Sequence, residues 1–263
     1  KTNWKVIETR HFDIHYANDD DQFGETIAYI AENAFYHLNS YFKTPLAKRI
    51  PIIIYQSKQQ FQTTNIIYPL LSEGVGGFTE SLRNRVVVPF DGSYKKFEEV
   101  LIHELTHAYI NDISGNFIIN PLFESSINSL PFWFSEGLPE YLSIGGVDTY
   151  NNMFVLDLVL NDRLYPLDKI YGYYAYRLGE AFLAWLAIEF GEEIPAKFFY
   201  QIRVSPDLDS ACKKLFGQKF EDIEKRFRLY LKRKYYPVIQ NYANPSEKTE
   251  QLTNVEKFKA NMN

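Results

Sequence analysis

Apolar and polar positions follow two different periods along this chain, and the change from one to the other divides it. His11-Phe-Asp-Ile-His-Tyr16 alternates residue by residue, the period of a strand with one buried face. Asp19-Asp-Asp21 then opens a segment to about Tyr41, with Ile27, Ile30, Ala31, Ala34 and Leu38 at helical spacing. Ile50 to Tyr55 (Ile-Pro-Ile-Ile-Ile-Tyr) reads as a buried strand and Arg85 to Phe90 as another, with glycine-rich Gly74 to Glu80 between them. The turn Asp91-Gly-Ser93 supplies an N-cap. The helix it predicts runs from Tyr94 to Ile113, with Phe97, Leu101, Leu105 and Ala108 as its apolar stripe.

Residues 116–130 show no clear period, and Pro131 to Ile144 predicts a short helix. Met153 to Leu160 fits a strand or a helix. Beyond Tyr171 the pattern is helical over about 173–190, 194–203, 206–216 and 219–236, punctuated by Gly191, Pro195, Pro206, Gly217 and Pro237. Strands gather before residue 91 and helices after it. The expected class is therefore α+β, with a sheet lobe over about 1–115 and a helical lobe over about 116–237. Residues 238–263 are polar and read as a linker or tail toward a further domain.

Composition narrows the function. A 263-residue chain suits one mixed domain with two lobes, and 46% hydrophobic residues exclude wholesale disorder. Three Trp, 20 Tyr and 21 Phe imply a large core and an aromatic-lined cleft. A net charge of −5 argues against nucleic acid as a partner. The single cysteine, Cys212, excludes an intrachain disulfide. No apolar run approaches the roughly 18 residues of a membrane span. The first residue is Lys1, which fits a removed signal peptide or a trimmed chain.

The chemistry is concentrated in His103-Glu104-Leu105-Thr106-His107. Histidines at i and i+4 stand one above the other on one helical face, so both rings can reach one Zn²⁺. Glu104, offset by one residue, lies beside the metal, where it can accept a proton from water. A third ligand is needed. His11, His15 and His37 all precede the motif and read as structural, and no histidine follows His107. The ligand is then expected to be a carboxylate. Glu136 stands out, within Trp133-Phe-Ser-Glu136-Gly-Leu-Pro-Glu140-Tyr141, with Glu124 as its rival. Glu140 shares a helical face with Glu136 and suits a group that orients a ligand histidine through its second ring nitrogen.

H-E-x-x-H followed by W-x-x-E-G-x-x-E-Y resembles the gluzincin zinc peptidases. The chain is most similar to the peptidase MA-like domains and, more distantly, to aminopeptidase N. The resemblance implies a zincin-like fold, zinc held by His103, His107 and Glu136, Glu104 as general base and Glu140 supporting His103. Tyr176-Arg-Leu-Gly179-Glu-Ala181 is similar to the Y-x-x-G-A of the same peptidases, which implies that Tyr176 stabilises the oxyanion. Tyr171, Tyr173 and Tyr174 crowd the same stretch.

Two features depart from the pattern. Pro139 stands where Ala is usual and predicts a kink between Glu136 and Glu140. Gly76-Gly-Phe-Thr-Glu80 is weakly similar to the amine-binding segment of aminopeptidases, which would place Gly77 and Glu80 at the substrate. A glycine-bearing strand edge there could also align a peptide backbone.

The function expected is zinc-dependent peptide hydrolysis. The alternative is an inactive zincin-like binding module within a larger bacterial envelope protein. Domains of this resemblance often precede a Tol-type β-propeller, which implies an extracytoplasmic location and a C-terminal β-propeller partner.

Overall fold

The computed structural model describes residues 3–17, 20–66, 75–114 and 130–239. Glu124 and residues 240–263 lie outside the described residues.

Five strands form one mixed sheet in the order β1-β2-β3-β5-β4. They are β1 (Lys5–Glu8), β2 (Phe12–Tyr16), β3 (Ile50–Tyr55), β4 (Phe78–Glu80) and β5 (Arg85–Pro89). β2, β3 and β5 run parallel, and β1 and β4 pair antiparallel at the two edges. The register lines up Ile14, Ile52 and Val86 across the sheet, and Tyr16, Ile54 and Val88 beside them. All six belong to the core. Alternation along each strand thus builds one continuous apolar face. Pro51 is tolerated in a central strand because pairing of β3 with β5 begins only at Ile52, after the residue that lacks an N–H.

Two long helices cover that face. In α1 (Asp21–Phe42), Asp20 caps the first turn by accepting the Gln22 N–H at 3.0 Å. In α3 (Tyr94–Ser114), the Ser93 hydroxyl accepts the Lys96 N–H at 3.3 Å. The stripe Phe97, Leu101, Leu105 and Ala108 is buried, as the spacing predicts. Truncating Leu105 to Ala would cost about 2–5 kcal/mol, the usual range for a fully buried leucine. The short α2 (Lys58–Gln62) lies between β3 and β4.

The second half is helical: α4 (Phe132–Ile144), α5 (Thr149–Leu160), α6 (Tyr173–Phe190), α7 (Ile194–Val204), α8 (Leu208–Phe216) and α9 (Phe220–Ile239). Met153 to Leu160 falls in a helix, started by Asp148, which accepts the Asn151 N–H at 2.7 Å. Pro139 does not break α4, which continues to Ile144 with the proline ring buried. α4 packs on both α3 and α6, and Gly137 and Gly179 let α4 and α6 meet backbone to backbone.

The buried apolar side chains of both halves form one cluster. The protein is therefore a mixed α/β structure with a five-stranded sheet and a helical half. No helix among the described residues is long and apolar enough to cross a membrane.

Candidate metal centre

α3 presents His103 and His107 from consecutive turns, and their Nε2 atoms are 3.3 Å apart. α4 brings Glu136 against them, with Oε2 at 3.5 Å from His107 Nε2 and 4.0 Å from His103 Nε2. A tetrahedral ion with bonds of about 2.0–2.1 Å holds its ligand atoms roughly 3.3–3.4 Å apart. Two of the three separations match that edge. Two imidazole nitrogens this close face each other with lone pairs unless a proton or a cation lies between them. The donor set and its spacing therefore fit a metal ion. Among the described residues, no other group of three His, Cys, Asp or Glu comes this close together.

The remaining histidines are engaged elsewhere. His11 pairs with Glu32 at 2.7 Å and stacks on Phe35, and His37 Nε2 lies 3.1 Å from the Leu142 carbonyl. His15 is a half-buried β2 residue.

Glu140 stands one turn beyond Glu136, and its Oε1 lies 3.3 Å from His103 Nδ1. That contact favours the tautomer with its proton on Nδ1, which leaves Nε2 free as a ligand. The other Glu140 oxygen accepts from Arg177 Nη1 at 2.9 Å, and the same nitrogen donates to Glu180 Oε2 at 3.2 Å. Glu180 is fully buried, and its Oε1 makes no hydrogen bond among the described residues. Burial, opposed by Asn151 and Arg177 and reinforced by the charge of Glu140, pushes its pKa up to about 7.

Opposite charges in the cluster shift one another's protonation. Burial favours a neutral His103 ring, but the Glu140 hydrogen bond and the charges of Glu104, Glu140 and Glu136 outweigh it and raise its pKa. Burial would lift the Glu136 carboxyl, yet His107, Tyr176 and His103 together hold it below its ordinary value. Glu140 is likewise held low against burial by His103 and Arg177.

Glu104 is buried beside the trio, and Thr79 of β4 anchors it. The Thr79 hydroxyl lies 2.7 Å from the Glu104 carbonyl oxygen and 2.9 Å from its Oε2. Gly77 faces the same way as Thr79: a Cβ there would come within 3.0 Å of Glu104 Cγ. Glu80, an odd number of residues from Gly77, points to the other face of the strand. Its carboxylate accepts from Leu82 N, Arg83 N and Arg85 Nε at 2.6, 3.2 and 3.0 Å, closing the β4–β5 turn.

Of the four crowded tyrosines, Tyr176 is the one that meets the trio. Its ring lies parallel to His103 at 6.0 Å, and the Glu136 carboxylate is the strongest charge acting on its hydroxyl. Burial and the Glu136 charge raise its pKa, so the phenol stays protonated. Tyr174 packs on Phe154 and Tyr165, Tyr173 lies under Arg177, and Tyr171 stacks on Phe132. Cys212 is buried away from this chemistry, with its thiol pushed up to about 12.

Thr79, Arg177 and Glu180 were not among the expected site residues. Thr79 was accessible through strand alternation from Gly77. Glu180 was marked only as the lone charge in the apolar run from Leu178 to Leu186. The chain matches no protein-family model and no curated protein sequence, so its functional reading rests on this geometry.

Proposed function

We propose that the protein is a zinc-dependent peptidase with a zincin-like active-site cleft. The observation that carries this is the convergence of His103 Nε2, His107 Nε2 and Glu136 Oε2 to within 3.3–4.0 Å of one another, with Glu104 buried beside them. Two histidines and a glutamate leave a tetrahedral zinc with one open position. Zinc held there supplies Lewis-acid polarisation of water and of a peptide carbonyl.

The chain's own groups do the rest. Glu104, fixed by Thr79, accepts a proton from the attacking water and delivers it to the leaving amine. Tyr176, kept protonated, donates a hydrogen bond to the oxygen on which negative charge develops. Glu140 holds His103 in its ligand tautomer, and Arg177 holds Glu140. Gly77 and Thr79 at the edge of the sheet offer an extended peptide a backbone to align against.

Zinc content and hydrolysis of a peptide library, measured together for wild type and Glu104→Gln, test this. Wild type should hold one zinc and cleave, and the variant should keep the zinc and lose hydrolysis. A wild type that holds zinc but cleaves nothing supports a zinc-stabilised binding domain instead. Equal turnover in the two proteins removes Glu104 from the mechanism.

A further inference from the structure

Phe132 precedes Glu136 by four residues, so helical spacing sets it on the face of α4 that carries the metal ligand, about 6 Å along the axis. Its ring meets Tyr176 edge to face at 6.4 Å and 81°. Tyr176 in turn lies flat against His103. Phe132 also stacks with Tyr171 at 6.0 Å and 27°. The series His103, Tyr176, Phe132, Tyr171 thus leads from the trio outward to solvent. Exposure rises along it to 40% at Phe132 and 72% at Tyr171.

A hollow of about 310 Å³ borders the outer pair, walled by Leu130, Pro131, Trp133, Leu167 and Ile170, with exposed Asp168 at its mouth. Single exposed apolar residues need no explanation. Here two large rings are exposed in contact with each other, at the rim of a candidate active site and beside a hollow.

Resting on the peptidase reading above, we infer that Phe132 and Tyr171 form a side-chain subsite of the metal cleft that takes a large aromatic residue flanking the scissile bond. Ring pairs favour edge-to-face and offset contacts at 4.5–7 Å, so an incoming aromatic ring continues the series already present. The reach fits as well. An extended peptide advances about 3.3 Å per residue, and a large ring reaches further from its own Cα, so a side chain next to a carbonyl held at the metal can span the roughly 6 Å to Phe132. The exposed carboxylate of Asp168 makes a basic side chain the competing occupant.

The test uses peptide hydroxamates bearing Phe, Ala or Lys next to the chelating group. They are titrated calorimetrically into zinc-loaded wild type, Phe132→Ala and Tyr171→Ala. The Phe compound should bind wild type at least about tenfold more tightly than the Ala compound, the discrimination a hydrophobic pocket gives. The ratio should collapse toward unity in either variant. Tyr171 is 72% exposed, so its replacement does not endanger the fold.

Equal affinity for Phe and Ala, a preference for Lys, or a Phe preference that survives both substitutions overturns the subsite. Parallel assays keep the two readings apart. Bound zinc with no side-chain selectivity removes the subsite alone. Phe selectivity without any hydrolysis of Phe-containing peptides supports the subsite and removes the peptidase. A protein that takes up no zinc overturns both.

Discussion

Gly137 of α4 and Gly179 of α6 cross so closely that a Cβ on Gly137 would lie 2.5 Å from the carbonyl carbon of Gly179. A Cβ on Gly179 would run into the carbonyl oxygen of Trp133. Backbone cannot move aside as a flexible side chain can, so both positions require glycine for space alone. The crossing also sets the site. Glu136 and Glu140 flank Gly137 on one helix, and Tyr176, Arg177 and Glu180 flank Gly179 on the other. Either Gly137→Ala or Gly179→Ala is expected to cost about 3 kcal/mol or more, lowering Tm on the order of 10 °C. Scanning calorimetry of the two variants checks this, and a Tm within about 2 °C of wild type would contradict the packing argument.

Thr79 gives a second test, one that reads orientation. Thr79→Val keeps the shape of the side chain and removes the only hydroxyl that bonds the Glu104 carboxylate among the described residues. Glu104 then loses the contact that fixes its rotamer. The expected result is a loss of roughly tenfold in kcat/KM, about 1.4 kcal/mol of transition-state stabilisation, with zinc content unchanged. Thr79→Ser should recover most of it. Undiminished turnover in the valine variant would show that the strand edge does not orient Glu104 for the proposed reaction.

How much of this was legible in the sequence depended on whether a feature is local. α1, α3 and the helices after Tyr171 repeat their apolar positions over several turns, and the expected spans fall within a few residues of the observed ones. β1 has four residues and β4 three, too few for alternation to stand out. α5 is apolar on most sides, so its period was weak and only its Asp148 cap distinguished it. Within the site, His103 and His107 were readable because a single helix relates them. Thr79 and Glu104 are 25 residues apart, and Glu140 and Arg177 are 37 apart, pairings that only the packed fold creates. Pro139 bears on the same point from within one helix. It deletes one helical N–H, yet α4 runs on with the ring packed in the core and keeps Glu140 on His103.

That contact makes Glu140 the subject of a third prediction. Its carboxylate lies 3.3 Å from His103 Nδ1 while its other oxygen takes the Arg177 N–H. Replacing Glu140 with Ala leaves the His103 ring free to rotate and to change tautomer. Zinc affinity, read by competition with a chromogenic chelator, should fall about 10- to 100-fold, the usual effect of losing such a partner. Glu140→Gln, whose amide oxygen can still accept from Nδ1, should lose less. If both variants bind zinc like wild type, the contact does not support the ligand.

Glu180 supplies a pH signature at the far end of the same chain of contacts. In the folded protein burial holds its carboxyl up to about 7, whereas the unfolded chain returns it to the ordinary carboxylate range near 4.5. Between those values the folded state keeps a proton that the unfolded state has lost. By linkage, stability from this group is present at low pH and is lost as pH rises toward and past 7. A displacement of this size is equivalent to about 3 kcal/mol. Glu180→Gln cannot ionise, so it escapes the loss. The variant should therefore gain on wild type as pH is raised from 5 to 8, by up to roughly that amount. Denaturant unfolding of both proteins at the two pH values, with chelator present so that the metal does not contribute, measures the difference. A gap between variant and wild type that stays constant, or that moves in favour of wild type at pH 8, would mean that Glu180 is already ionised in the fold and that Arg177 neutralises two carboxylates at once.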